Sequence, residues 1–245
     1  MNRRWIALAG IALLGLAALW FFFLRSDNPD PVSLEDAVAS VTGSTVSDEP
    51  AATLPEVTDT TAAVEETVAL DGTWTVLSDE NSFAGYRVGE ELASIGVTEA
   101  VGRTSGVTGS LELEGSTLTA VSIEVDMTSL RSDDNRRDGA MSRQALETNA
   151  FPTAQFVLTG AIDLGTIPSE GVPISVTASG DLTLHGVTAP VEIPLEAQLV
   201  GNQIVVVGSV DIVYGDFGIE LPSAPILVGV DDHGLIELQL TFVRG

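Results

Sequence analysis

Residues 190–200, PVEIPLEAQLV, alternate between apolar and polar side chains with a period of two. One face of this stretch carries only aliphatic side chains, those of Val191, Ile193, Leu195, Ala197 and Leu199. The opposite face carries Glu192, Glu196 and Gln198. Successive side chains of a β-strand point to opposite faces, so the pattern predicts a strand with one buried and one solvated face. Such strands are typical of an antiparallel sheet.

The same alternation recurs along the second half of the chain, at Ser110–Glu114, Leu118–Asp126, Thr153–Thr159, Ile174–Leu184, Gln203–Tyr214 and Ile236–Phe242. Turn-forming residues separate these stretches at Glu114-Gly115-Ser116, Gly201-Asn202 and Asp231–Gly234. Strands that follow one another without intervening helices predict an all-β sandwich or barrel.

One segment, Asp133–Glu147, lacks the period of two. Acidic and Asn side chains near its start favour a helix N-terminus, so it predicts one short helix crossing between two strands. Ala140, Met141 and Leu146 are then able to face the sheet. Arg137 and Asp138 are expected to pair with neighbours and fix this helix.

The N-terminal residues 1–25 are predicted to form a transmembrane anchor. Trp5–Leu24 carries no charge and reaches about 30 Å as a helix, the thickness of a hydrocarbon core. Arg3 and Arg4 precede it, which predicts a cytoplasmic N-terminus and an extracellular or periplasmic domain. A cleaved signal peptide is the alternative, but its apolar region is shorter and ends in small residues. The bulky Trp20–Arg25 stretch favours a retained single-pass anchor.

Residues 26–70 are rich in Ser, Thr, Ala, Pro, Asp and Glu and contain no aromatic residue. They predict a disordered acidic linker, because such a segment buries too little apolar surface to offset its ordering entropy. A short helix near Ser33–Ala39, capped by Ser33, needs a packing partner to persist. Residues 71–245 then form one folded domain.

Composition excludes several classes of function. The chain has no Cys, and its net charge of −25 opposes binding to nucleic acid. No serine-hydrolase elbow, zinc-protease helix or nucleotide-binding glycine loop is present, so the sequence predicts a protein that is not an enzyme, with no catalytic or metal site. His185 lies in a turn and is expected to bond backbone groups there.

Several stretches together resemble the YceI-like family. They are Ser122–Asp126, Arg136–Asp138, Phe151–Phe156, the run GDLTLHGVT at residues 180–188, and Tyr214–Ile219. The resemblance covers residues 71–245 and implies an eight-stranded antiparallel, lipocalin-like barrel that binds a polyisoprenoid. The chain differs from the family pattern at Val97–Thr104, which alters one rim of the barrel.

The resemblance implies that the partner is an isoprenoid lipid, either a polyprenyl chain or a quinone, bound for carriage, storage or protection. No other cofactor is expected. The alternative is a non-catalytic cell-surface or stress-response module whose barrel core is filled by side chains. The candidate ligand contacts are Trp74, Tyr86, Val121, Ile123, Val125, Met141, Leu146, Phe156, Leu158, Leu184, Phe217, Ile219, Leu240 and Phe242.

Overall fold

The structure is a computed structural model, and it describes residues 28–43, 70–94 and 96–245. The predicted anchor at residues 1–25, and residues 26–27 and 44–69 of the predicted linker, lie outside this part of the chain. No helix within the described ranges combines the length and apolar character needed to cross a bilayer.

The described residues form a single 13-stranded sheet and two α-helices. The strands are β1 Gly72–Val76, β2 Phe83–Leu92, β3 Gly96–Thr104, β4 Val107–Glu114, β5 Thr117–Asp126, β6 Arg131–Ser132, β7 Thr153–Leu158, β8 Ile162–Asp163, β9 Ile174–Leu184, β10 Val187–Val200, β11 Gln203–Val213, β12 Leu227–Val230 and β13 His233–Arg244. The helices are α1 Leu34–Thr42 and α2 Asn135–Ala140; a π-helical turn, Met141–Ala145, continues α2.

The sheet closes on itself. The strands β1, β4, β5, β7, β9, β10, β11 and β13 form an antiparallel ring, and the pairing of β1 with β13 completes it. The first half of β13 instead pairs with β2, which continues the sheet through β3 to β6. The predicted all-β, eight-stranded antiparallel barrel is therefore confirmed.

Each stretch that alternates in sequence lies in a strand, whereas β2 and β3 were not predicted. Glycines interrupt the alternation there, and close packing requires them. A Cβ on Gly85 would lie 2.3 Å from the carbonyl oxygen of Gly102. A Cβ on Gly102 would lie 2.4 Å from the ring of Tyr86. These two strands approach too closely for larger residues, so the apolar pattern is lost.

The barrel has two distinct ends. At the upper end lie the β2–β3 and β9–β10 hairpins, α2, and the segment 218–226. At the lower end lie the β4–β5 and β10–β11 hairpins and the segment 164–173. Gly115 and Gly201 adopt positive φ angles of 59° and 60° in the lower hairpins, as their predicted turn roles require.

The predicted crossing helix is present as α2 and its π-helical continuation. The Asp134 side chain caps it by accepting from the Arg136 N–H at 2.7 Å. Asp138 Oδ1 accepts from the backbone N–H and the hydroxyl of Ser132 at 2.8 and 2.7 Å, which ties the helix to β6. The prediction of one short helix is corrected to two, because α1 also forms.

Residues 28–43, here called the strap, lie against the outer face of the barrel. The segment contains α1, whose N-cap is Ser33, and the side chain of Ala37 on α1 is fully buried with Val205 and Val207 of β11. The prediction of disorder is therefore wrong for residues 28–43. The segment by itself contains too few apolar residues to form a core. The outward-facing valines of β11 provide the apolar surface against which it packs.

A buried ion cluster holds the start of the strap. Glu237 of β13 is fully buried, and its carboxylate accepts from Arg87 Nε at 2.8 Å and from Arg103 Nε at 2.7 Å. Arg87 also donates to the carbonyl oxygen of Pro29, and Arg103 donates to that of Asp30 at 2.7 Å. The sequence pattern placed Glu237 on the solvated face of its strand; the strap and the two arginines cover it instead.

Removal of the α1 cap gives a local test of the strap. The Ser33 hydroxyl accepts from the Asp36 N–H at 3.2 Å and donates to the Asp36 carboxylate at 2.6 Å. We expect Ser33→Ala to lower the stability of α1 by about 1 kcal/mol, seen as faster amide hydrogen exchange across Leu34–Thr42. Ser40→Ala deletes the same atom within the helix and serves as the control. Equal exchange in the two variants would contradict this account of the cap.

Candidate functional site

The barrel encloses a cavity of about 370 Å³. Its walls are the inward faces of β4, β5, β7, β9, β10, β11 and β13 together with β2, and they are almost entirely apolar. An eight-stranded barrel is just wide enough to be filled by side chains or to hold one small ligand. Here alanines at the inward positions 154, 178 and 197 leave part of the interior open.

Most of the predicted contacts line this cavity. They are Tyr86, Val121, Ile123, Val125, Met141, Leu146, Phe156, Leu184, Ile219, Leu240 and Phe242. Ala140, Met141 and Leu146 reach it from α2 and the turn that follows, as expected for a helix facing the barrel. Contact of these side chains with a ligand stays a prediction.

Trp74, Leu158 and Phe217 do not line the cavity, which corrects their expected position. Trp74 is buried in the core near the lower end, where its indole N–H donates to the carbonyl oxygen of Leu70 at 2.9 Å. Leu158 packs against the same core cluster. Phe217 is buried in a second cluster near the upper end. Apolar character predicts burial for all three, but it does not distinguish core packing from a cavity wall.

Charged side chains lie at the upper end of the cavity. Arg137 of α2 donates to the Glu90 carboxylate of β2 at 2.6 Å and also pairs with Asp133. Burial acts to lower the pKa of Arg137, but the hydrogen bond and charge of Glu90 outweigh it and the pKa is raised. Asp134 and Arg136 line the same opening and approach each other at 3.7 Å. This end therefore offers charged partners to a polar group, whereas the rest of the wall offers none.

Two tyrosines add neutral hydroxyl groups beside this opening. Burial raises the pKa of Tyr86 well above its ordinary value, and the nearby charge of Arg137 offsets this only in part. Burial likewise raises the pKa of Tyr214 to about 12, reinforced by the charges of Asp211 and Asp231. Both phenols therefore remain protonated hydrogen-bond donors at neutral pH.

His185 performs the structural task expected of it. Its Nδ1 bonds the carbonyl oxygen of Phe217 at 3.2 Å, and its Nε2 lies 3.1 Å from the Glu147 carboxylate. The Phe151 ring packs edge-on against the imidazole, with 4.5 Å between ring centroids. His185 thus links the β9–β10 hairpin to two upper segments and lies outside the cavity wall. Among the described residues, no group of three or more acidic, His or Cys side chains is placed to hold a metal ion.

Four residues that line the upper end of the cavity were not predicted from the sequence. Glu90, Asp134, Leu221 and Ile226 all line it. The sequence does contain an indication of this surface, because Leu221 and Ile226 are large apolar residues in a segment rich in Pro, Ser and Ala between two strands. A loop of that kind has no strand face on which to bury them, which points to an exposed apolar surface.

A closed antiparallel barrel of eight strands with a hollow apolar interior has the architecture of the lipocalin-like class. The chain belongs to the YceI-like domain family, which matches residues 74–242. No curated protein matches this chain.

Several solved structures are similar to this chain. A polyisoprenoid binding domain from Saccharophagus degradans, implicated in plant cell wall breakdown, is 17% identical over 70% of this chain and 98% of that chain, with a TM-score of 0.57. BcnA from Burkholderia cenocepacia is 17% identical over 65% of this chain and 95% of its own, with a TM-score of 0.49. The Campylobacter jejuni YceI protein is 13% identical over 59% and 84%, with a TM-score of 0.47.

Proposed function

We propose that this protein binds an isoprenoid-type lipid, a polyprenyl chain or a quinone, inside its barrel at the outer face of the cytoplasmic membrane. The observation that carries the proposal is the apolar cavity of about 370 Å³. Such a wall favours a hydrocarbon chain, whereas a polar atom placed against it would lack a hydrogen-bond partner. The domain from Saccharophagus degradans, which shares the fold, is described as polyisoprenoid binding, and this supports the same class of ligand here.

The tail supplies the affinity in this proposal. Each CH₂ group that leaves water for the cavity contributes about 0.8 kcal/mol, partly offset by the cost of ordering the chain. Linear isoprenoid tails suit a narrow barrel because their cross-section is small and constant along their length. The binding would serve carriage, storage or protection of the lipid.

In this proposal the polar end of the lipid lies at the upper end of the cavity. Arg137 and Glu90 are mostly buried there, and the Tyr86 hydroxyl lies in the same wall. A quinone carbonyl can accept from Arg137 or Tyr86, and a hydroxyl or phosphate can bond the same groups. The charge distribution therefore favours one orientation, with the head at the upper end and the tail toward the lower end.

We assign the location from the sequence. The apolar stretch Trp5–Leu24, preceded by Arg3 and Arg4, suits a retained anchor with its N-terminus in the cytoplasm. The barrel would then be extracellular or periplasmic. The alternative of a surface or stress-response module requires a filled core, and the open cavity argues against it.

Organic extraction tests the proposal directly. The chain without residues 1–25 is purified in the absence of detergent, and its extract is analysed by mass spectrometry. We expect a prenyl lipid to copurify in near-stoichiometric amount, and native mass spectrometry to display the added mass. A barrel that is reproducibly empty after expression in a host containing these lipids would contradict the proposal.

A further inference from the structure

The upper end of the barrel exposes large apolar side chains. Val97 of β3 is 85% exposed and Val228 of β12 is 61% exposed, while Leu221 and Ile226 are also exposed and line the cavity opening. These four residues are here called the upper rim. Leaving them in water is unfavourable, and contiguous exposed apolar residues commonly mark a contact surface.

The rim segments are joined to one another. The Ala93 N–H of the β2–β3 hairpin donates to the Ile226 carbonyl oxygen at 2.9 Å, and β12 pairs with β2 beside it. The four residues therefore lie on segments that are joined to one another at the upper end.

Exposed cations accompany the rim in a chain that is otherwise strongly acidic. Arg131, Arg136 and Arg143 lie on the upper segment that contains α2, and all three are exposed. Acidic side chains, among them Glu91 and Glu220, share this end. A surface that mixes apolar groups, arginines and carboxylates suits a zwitterionic lipid surface, whose phosphates accept from arginine.

The strap decides which end of the barrel lies near the anchor. Asn28 donates to the Glu99 carbonyl oxygen on β3, close to the β2–β3 hairpin, and α1 then runs toward Val200 near the lower end. Leu24, the last residue of the apolar stretch, precedes Asn28 by four residues. Four residues span about 14 Å at most when fully extended.

From these observations we infer that the upper rim docks on the lipid bilayer, so that the cavity opening faces the membrane. The inference rests on the anchor assigned under the proposed function. The predicted linker of residues 26–70 does not act as a long tether, because its first part is bound to the barrel. An isoprenoid lipid then passes between bilayer and cavity without crossing water.

Exposed apolar residues alone would not select the upper end. Ile167 is exposed at the lower end, and Val172 is exposed there and lines the cavity, yet the strap begins at Asn28 beside Glu99, near the upper end. This difference supplies two positions for comparison, Val228 and Ile167, which have similar exposure and do not line the cavity.

Site-specific labelling tests the inference in the full chain. The protein contains no native Cys, so Val228→Cys and Ile167→Cys each give a single attachment point for an environment-sensitive fluorophore. Each labelled protein is reconstituted in phosphatidylcholine vesicles with and without nitroxide-labelled lipid. We expect a blue-shifted emission and quenching by the nitroxide at position 228, and neither effect at position 167.

Equal quenching at both positions, or none at position 228, would overturn the inference, as would chains that do not float with the vesicles. Lipid extracted from the same samples separates this result from the proposed function. A loaded barrel with position 228 in water refutes the docking surface alone. If the barrel is empty and the fluorophore at position 228 is quenched, the proposed ligand is refuted and the docking surface is supported.

Discussion

Replacing Glu237 with alanine is expected to lower the free energy of unfolding by about 3–5 kcal/mol, the range measured when one partner of a buried ion pair is removed. Glu237 has no exposed surface, and both of its carboxylate oxygens accept from arginine, at 2.8 Å from Arg87 and 2.7 Å from Arg103. Without the carboxylate, the charged partner that remains to Arg87 among the described residues is Glu99, which is partly exposed. The loss of stability is large because the substitution leaves the cation of Arg87 buried without this carboxylate. A large loss therefore does not mean that the ion pair itself is strongly stabilising.

The same substitution is expected to loosen the strap, since Arg87 and Arg103 also hold the carbonyl oxygens of Pro29 and Asp30. Urea unfolding gives the global effect, and hydrogen exchange in residues 28–43 gives the local one. Glu192→Ala on β10 is the matched control, because Glu192 is exposed and its removal is expected to change stability by less than about 0.5 kcal/mol. Similar losses in the two variants would mean that the buried cluster does not stabilise the fold.

Filling part of the cavity is expected to weaken lipid binding substantially while the barrel stays folded. Ala178 of β9 lies in the cavity wall, opposite Ile193 in the ladder. A phenylalanine there would occupy the space of roughly three CH₂ groups of a ligand, each contributing about 0.8 kcal/mol, and so weaken binding roughly 50-fold. The ring enters open space, so the cost to stability is expected to stay within about 1–3 kcal/mol, as for other enlarged core residues.

The neighbouring residue provides the control for this experiment. Thr177 is exposed on the opposite face of the same strand, so Thr177→Phe adds a ring outside the barrel. Native mass spectrometry then compares the fraction of lipid-bound protein, with Ala178→Leu as an intermediate step. Undiminished lipid in Ala178→Phe would place the ligand elsewhere than in the cavity.

The alternating residues of β5 and β10 predicted their strands because a period of two reports directly which side chains are buried. β2 and β3 were not predicted. The two strands approach each other so closely that Gly85 and Gly102 are required, and these glycines interrupt the alternation of apolar and polar residues. The α1 cap at Ser33 was readable, whereas the partner that stabilises α1 lies on β11, more than 150 residues later.

The amino-acid sequence alone determined that the chain forms an antiparallel sheet and which side chains turn inward, because alternation sets the direction of each side chain. It did not determine that the interior is hollow, that Trp74 and Phe217 pack in the core while Met141 and Ile219 line a cavity, or that Glu237 is buried on the outer face. Those outcomes depend on distances across the closed barrel and on the strap covering one face. Such distances arise only when strands far apart in sequence meet, so the tertiary structure alone decides them.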